Sequence, residues 1–143
     1  MNKREMHVVQ NEATRFMYGS KMLGVADVSN SVRVEIPLLG FDGKPLYFYV
    51  VRRAKDGRFS LILPTESIGI LPIDTTLSIL QKILKTYGLL LSQEAVIMEE
   101  NIAISLHKRM ATMAQAIIAI DGIRRLWKTE SDRRNNASKS ETT

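Results

Sequence analysis

From Val32 to Pro64 apolar and polar positions alternate with the period of two that marks a half-buried strand, and two Asp-Gly pairs interrupt the run. The segments are Val32 to Leu39, Pro45 to Arg53 and Arg58 to Pro64, separated by Asp42-Gly43 and Asp56-Gly57. Asp-Gly suits a two-residue type I′ turn, which needs positive φ at both central positions, so the pattern predicts an antiparallel meander. Turns centred on the two Asp-Gly pairs place Val34 opposite Val51, Ile36 opposite Tyr49, Leu38 opposite Tyr47, and Ile62 beside Val51. Successive side chains point to opposite faces, so these residues share one face, the expected core face. The other face then carries Leu39, Leu46, Phe48, Val50, Leu61 and Leu63 together with Arg33, Glu35 and Arg52. That is too apolar for a plain solvent face. An N-terminal helix is expected to cover it, with a partner or second subunit as the alternative.

Helical spacing appears on both sides of the meander. Val9, Ala13, Phe16 and Met17 fall on one side of a helix within residues 6–23, and Gly24 to Ser31 reads as a linker. After a loop from Thr65 to Pro72, Asp74 or Thr75 caps a helix that buries Leu77, Leu80, Ile83, Leu84 and Tyr87 and ends at Gly88. Ala95 to Met98, after a turn at Ser92-Gln93, reads as a short edge strand. Ile102, Leu106, Met110, Met113, Ile117 and Ile120 hold helical spacing longest, and Asp121-Gly122 is expected to weaken or end that helix. Lys128 to Thr143 has no apolar residue except Ala137 and is expected to be a disordered tail. The reading is one α+β domain over residues 1–127: an antiparallel three- to four-stranded meander packed against two or three helices, one of them long and C-terminal. Its parts are an N-terminal helix and linker (1–31), the meander (32–64) and a helical half (73–127).

Composition narrows the function classes. The 143 residues, 45% apolar and 24% charged, are enough for one buried core. There is no cysteine, which removes thiol catalysis, disulfides and Cys-ligated metal. No apolar stretch follows the charged start Met1 to Met6, and none is long enough to span a membrane, so a cytoplasmic protein is expected. The net charge is +5 and uneven: residues 32–64 carry six Lys/Arg against three Asp/Glu, whereas residues 65–100 carry two against five. The expected pairing sets Arg33 opposite Arg52, with Arg53, Lys55 and Arg58 at the adjacent turn. Five cations at one sheet end suit an anionic partner, either a nucleic-acid backbone or an acidic protein surface. The same charges would also protect a sheet edge from unwanted pairing.

Nothing in the chain spells out a reaction. The only histidines are His7 and His107, and neither has an apparent nucleophile to activate. Gly40 to Lys44 lacks P-loop spacing and reads as a turn. Asp74, Glu94, Glu99, Glu100 and Asp121 are the acids available to a Mg²⁺ ion, without the Glu-x-Lys that a metal nuclease places after a strand. Met110 and Met113 belong to the helix core. The chain therefore reads as a non-enzyme with no catalytic, cofactor or metal residue assigned.

Ile36-Pro37-Leu38, Tyr47 to Val51, Tyr87-Gly88-Leu89, Gln115-Ala116 and Ile120-Asp121 follow an order that resembles a small family of bacterial and prophage proteins known only as a domain of unknown function. The resemblance runs from about Val32 to Ile123. The family usually shows consecutive acids and a glycine after its third strand, where this chain has Leu63-Pro64-Thr65-Glu66-Ser67. The resemblance implies an α+β fold and a bacterial or phage setting, and carries no activity with it. The resulting expectation is a non-catalytic interaction module, phage- or prophage-encoded, that binds a host protein; inhibition of a host defence complex is one concrete form. A nucleic-acid-associated protein using Arg33, Arg52, Arg53, Lys55 and Arg58 is the alternative, and a metal-dependent enzyme the third. A homodimer is compatible with the half-apolar second face.

Overall fold

The computed structural model describes residues 2–16, 31–70, 78–92 and 96–141. The elements run α1 (Lys3–Phe16), β1 (Ser31–Leu39), β2 (Pro45–Arg52), β3 (Phe59–Pro64), a 3₁₀ turn (Thr65–Ile68), α2 (Ser78–Thr86), β4 (Leu89–Leu91), β5 (Val96–Glu99) and α3 (Leu106–Glu141). This is the expected α+β class with a long C-terminal helix. The sheet has five strands in the order β1-β2-β3-β5-β4, all antiparallel, where the sequence pattern predicts three or four. Val96–Glu99 is not an edge strand as expected: it lies between β3 and β4, and the three-residue β4 forms the edge. The expected helix cap at Asp74 or Thr75, Leu77, Met17 and most of the linker lie outside the described residues, as does the side chain of Phe16.

The hairpin register differs from the two-residue-turn expectation. Gly40 N–H donates to Lys44 O at 2.7 Å and Gly43 N–H to Gly40 O at 2.9 Å, so Phe41, Asp42 and Gly43 form a three-residue loop. Gly43, at φ 78°, supplies the left-handed residue that such a loop places next to its second strand. Asp42 Oδ1 accepts the Lys44 N–H at 3.0 Å, which fixes the turn from the side-chain side. A further irregularity between Glu35 and Leu39, around Pro37, leaves Val34 opposite Phe48 and Glu35 opposite Tyr47. An odd shift exchanges faces, so Tyr47, Tyr49 and Val51 do not join Val34 and Ile36 in the core as expected. Phe48, Val50 and Leu46 do. The second hairpin closes at Arg53 and Arg58 around Ala54 to Gly57, two positions from the expected pairing. An even shift preserves the face: Val51 and Ile62 still share one, and Val50, Leu61 and Leu63 the other.

The core lies between that second set and the helices. Val32, Val34, Ile36, Leu46, Phe48, Val50, Leu61, Leu63 and Ile97 pack with Val9 and Ala13 of α1, Leu80 and Leu84 of α2, and Met110, Met113, Ile117 and Ile120 of α3. Leu106, the stripe residue at the first turn of α3, is only partly buried against this core. Gly88 follows α2 at φ 65°, as its C-terminal position predicts.

Helix α3 does not end at Asp121-Gly122. A single glycine costs a helix only about 1 kcal/mol, and Asp121 pairs one turn onward with Arg125 at 2.9 Å. The backbone stays helical through Glu141, where disorder was expected over 128–143. Lys128, Glu130, Arg133, Arg134, Ala137 and Lys139 are good helix formers and extend a helix already nucleated by the packed stretch before them, so lack of apolar residues removes burial without removing helicity.

Two measurements check this fold. Phe48→Ala should lower the unfolding free energy by about 3–5 kcal/mol in urea titrations. Tyr49→Ala, one residue away on the other face, should cost clearly less, and equal losses would mean the faces are assigned wrongly. Truncation after Trp127 should leave Tm nearly unchanged, because the removed segment has almost nothing apolar to bury; a drop of many degrees would show that it docks.

Candidate interaction surface

The five strands bring one residue each into a row across the face turned away from the core. Arg33 pairs with Tyr49, Tyr49 with Ile62, Ile62 with Met98, and Met98 with Leu90. Each has a neighbour in the core on the opposite parity, so the row points away from the helices. Among the described residues no helix packs on this face. Met98 is 38% and Leu90 53% exposed, while Arg33, Tyr49 and Ile62 are half-buried. At the β1–β2 end the Arg33 guanidinium lies 3.7 Å over the Tyr47 ring, and Tyr47 meets Tyr49 edge-on with centroids 5.6 Å apart. Burial, then the neighbouring Tyr49, push the Tyr47 hydroxyl above its ordinary value against the opposing pull of Arg33. Arg33 also pairs with Glu35 at 3.0 Å, and its buried Nε has no hydrogen-bond partner.

The five expected cations are not brought together as one cluster. Arg33 faces Tyr49, not Arg52, because of the register shift. Arg52 lies on the helix side and bonds Glu5 of α1 at 3.1 Å. Arg53 contacts Asp56 at 3.6 Å. Lys55 and Arg58 are exposed in and beside the β2–β3 loop. Arg53, Lys55 and Arg58 thus remain neighbours at one mouth of the open face, whereas Arg33 and Arg52 belong to opposite sides of the sheet.

The sequence reading missed the groups that lock the sheet to α3. Arg109 and Glu99 are 9% and 7% exposed at their side chains. Arg109 Nε and Nη2 donate to Glu99 at 2.9–3.2 Å, and Nη2 also donates to the Phe59 carbonyl at 2.7 Å. Weaker bonds from Nη1 reach the Ile102 and Ile104 carbonyls. One guanidinium therefore ties β3, β5 and the β5–α3 connection to the helix. A signal existed, since Arg109 falls three residues after Leu106 and four before Met113 on the apolar stripe. A second tie is Asp121, buried, which accepts the Phe41 N–H at 2.9 Å and holds the first hairpin loop. Arg125 donates to Asp121 and to the Leu39 carbonyl, and Arg124 stacks 3.8 Å over Phe41. His107 links α1 to α3: its ring Nδ1 and backbone N–H both meet Glu12 of α1, at 2.9 and 3.0 Å. The carboxylate only accepts, so Nδ1 carries the proton, and Glu12 sits at the electropositive start of α3.

Of the acids considered for Mg²⁺, Glu99 and Asp121 are occupied by arginines, and Asp74 and Glu94 lie outside the described residues. Among the described residues no group of three or more acidic or histidine side chains is placed to hold a metal ion. No helix among them is long and apolar enough to cross a membrane.

Burial pushes the Glu99 carboxyl above its ordinary value, while its bonds from Arg109 pull the other way. Because the folded state keeps this proton to higher pH than the unfolded chain, the carboxyl favours folding below its ordinary value. That contribution is lost as pH rises through the raised one. Arg109→Met leaves Glu99 buried without its counter-charge and should cost about 3–5 kcal/mol near neutral pH. The loss should shrink in acid, where a proton neutralises Glu99. Urea titrations of both proteins across pH check this, and a pH-independent loss would contradict it.

No family model, no curated protein and no solved structure matches the chain.

Proposed function

We propose that this protein is a non-catalytic interaction module that binds a protein partner through the open face of its sheet. The observation carrying this is the row Arg33, Tyr49, Ile62, Met98 and Leu90, exposed or half-buried on the side opposite the helices. Arg, Tyr and Met are the residue types enriched at the centres of protein interfaces, where Lys and Glu are depleted. Apolar and aromatic side chains aligned across four adjacent strands are also more continuous than scattered surface leucines. The partner we propose is a host protein, with a host defence complex as one such target, in line with the phage setting that the sequence motifs between Val32 and Ile123 suggest.

A nucleic-acid reading gains one point from the structure. Tyr47 and Tyr49, expected in the core, lie on the open face, where rings can stack on bases. Against it, Arg33 and Arg52 are each bonded to a carboxylate and lie on opposite faces of the sheet, which leaves no continuous cationic track for phosphates.

A photo-crosslinking amino acid at Tyr49 or Ile62 should capture a host protein from cell extract. The same group at Ile79, exposed on α2, should not, and Ile62→Asp should abolish capture from position 49 with the melting curve retained. Equal capture from position 79, or crosslinks to nucleic acid alone, would overturn the proposal.

A further inference from the structure

The open face is not flat. A groove of about 400 Å³ runs along β2, β3 and β5 toward the start of the β5–α3 connection. Val51, Ile62, Met98 and Ile102 give it an apolar floor, and the Ser60 side chain is buried in it. The volume falls within the range of about 300–1,000 Å³ that accommodates a ligand or a large anchoring side chain. Its two ends differ in charge. Arg53 lines one end, and Lys55 and Arg58 stand exposed in and beside the same loop with Asp56 as the only acid there. Glu99, whose charge is met by Arg109, and Glu100 line the other end, at the end of β5 and just after it.

Resting on the interaction reading above, we infer that this groove takes an acidic peptide segment of the partner, seated by an apolar anchor residue. The apolar floor holds the anchor. The acidic residues lie toward Arg53, Lys55 and Arg58, where the local excess of positive charge favours them, and away from Glu100, which repels them. The charge difference between the ends sets the direction in which the segment lies. A nucleic acid fits this arrangement less well, because its evenly spaced phosphates would pass both Glu100 and the cationic loop.

The test is fluorescence anisotropy with a fluorescein-labelled peptide that has a Leu-Phe anchor and a run of Asp and Glu on one side of it only. Three comparisons accompany it: the peptide with Lys replacing its acids, the peptide with Ala replacing Leu-Phe, and oligothymidylate. The acidic peptide should bind, more weakly as salt rises. The double reversal Arg53→Glu with Arg58→Glu should weaken it by about tenfold or more, and so should Ile62→Asp. Lys82→Glu with Lys85→Glu, on exposed positions of α2, should leave it unchanged. Melting curves confirm that the variants are folded. Equal binding of the Lys or Ala peptide, an unchanged affinity after the Arg53 and Arg58 reversal, or preferential binding of the oligonucleotide would overturn the inference. The two readings fail separately: capture from positions 49 and 62 that survives the double reversal removes the acidic segment and keeps the interface.

Discussion

The side chains of a strand can point to only two faces, so one residue gained or lost in a hairpin loop exchanges core for surface along the whole following strand. In this chain that residue lies between Gly40 and Lys44. The loop Phe41-Asp42-Gly43 has three residues, with a left-handed position at Gly43. Phe48 and Val50 consequently go to the helices, and Tyr47, Tyr49 and Val51 to the other side. The second hairpin and β5 follow that choice through the pairings Tyr49 with Ile62 and Ile62 with Met98. The proposed interface is therefore set by a turn well removed from most of its residues.

The loop does not hold this geometry alone. Asp121, four turns along α3, accepts the Phe41 N–H, and Arg125 reaches the Leu39 carbonyl beside it. At the first turn of the helix Arg109 does the corresponding work for β3 and β5. The sheet is thus clamped to α3 at both ends of its buried stretch by charge-assisted bonds, with Met110, Met113, Ile117 and Ile120 between them. Buried ion pairs contribute little net stability compared with apolar packing of the same volume, but they tolerate few alternative geometries. Here both clamps act on backbone groups whose placement fixes which face is presented outward.

Much of the architecture was legible because it depends on local pattern. The period-two run from Val32 to Pro64, the helical stripe from Met110 to Ile120 and the glycine after α2 each carry their own signal. What was not legible depends on competition between near-equal local solutions. Asp-Gly fits a two-residue turn and also the end of a three-residue one, and both faces of β2 are rich in apolar residues, so hydrophobicity could not decide the register. For the same reason Tyr47 and Tyr49 were assigned to the core and the five cations to one cluster. Arg109 on an apolar stripe was readable in principle. Its partner Glu99 was not, because β5 had to be placed beside β3 before the pair could meet.

The ambiguity of β2 is itself informative about the surface. A strand with one solvated face normally alternates apolar with polar residues, and Tyr47 to Val51 does not. Such a run either lies in a sheet covered on both sides or exposes apolar surface for a purpose. The described helices occupy one side only, and Met98 and Leu90 continue the apolar surface beyond β3 to the sheet edge. The Arg33–Glu35 pair and the short β4 limit unwanted pairing at the two edges without shielding the centre. Among the described residues the sheet is thus guarded at its edges and uncovered across its middle, and that middle is the surface a partner would occupy under the proposed reading.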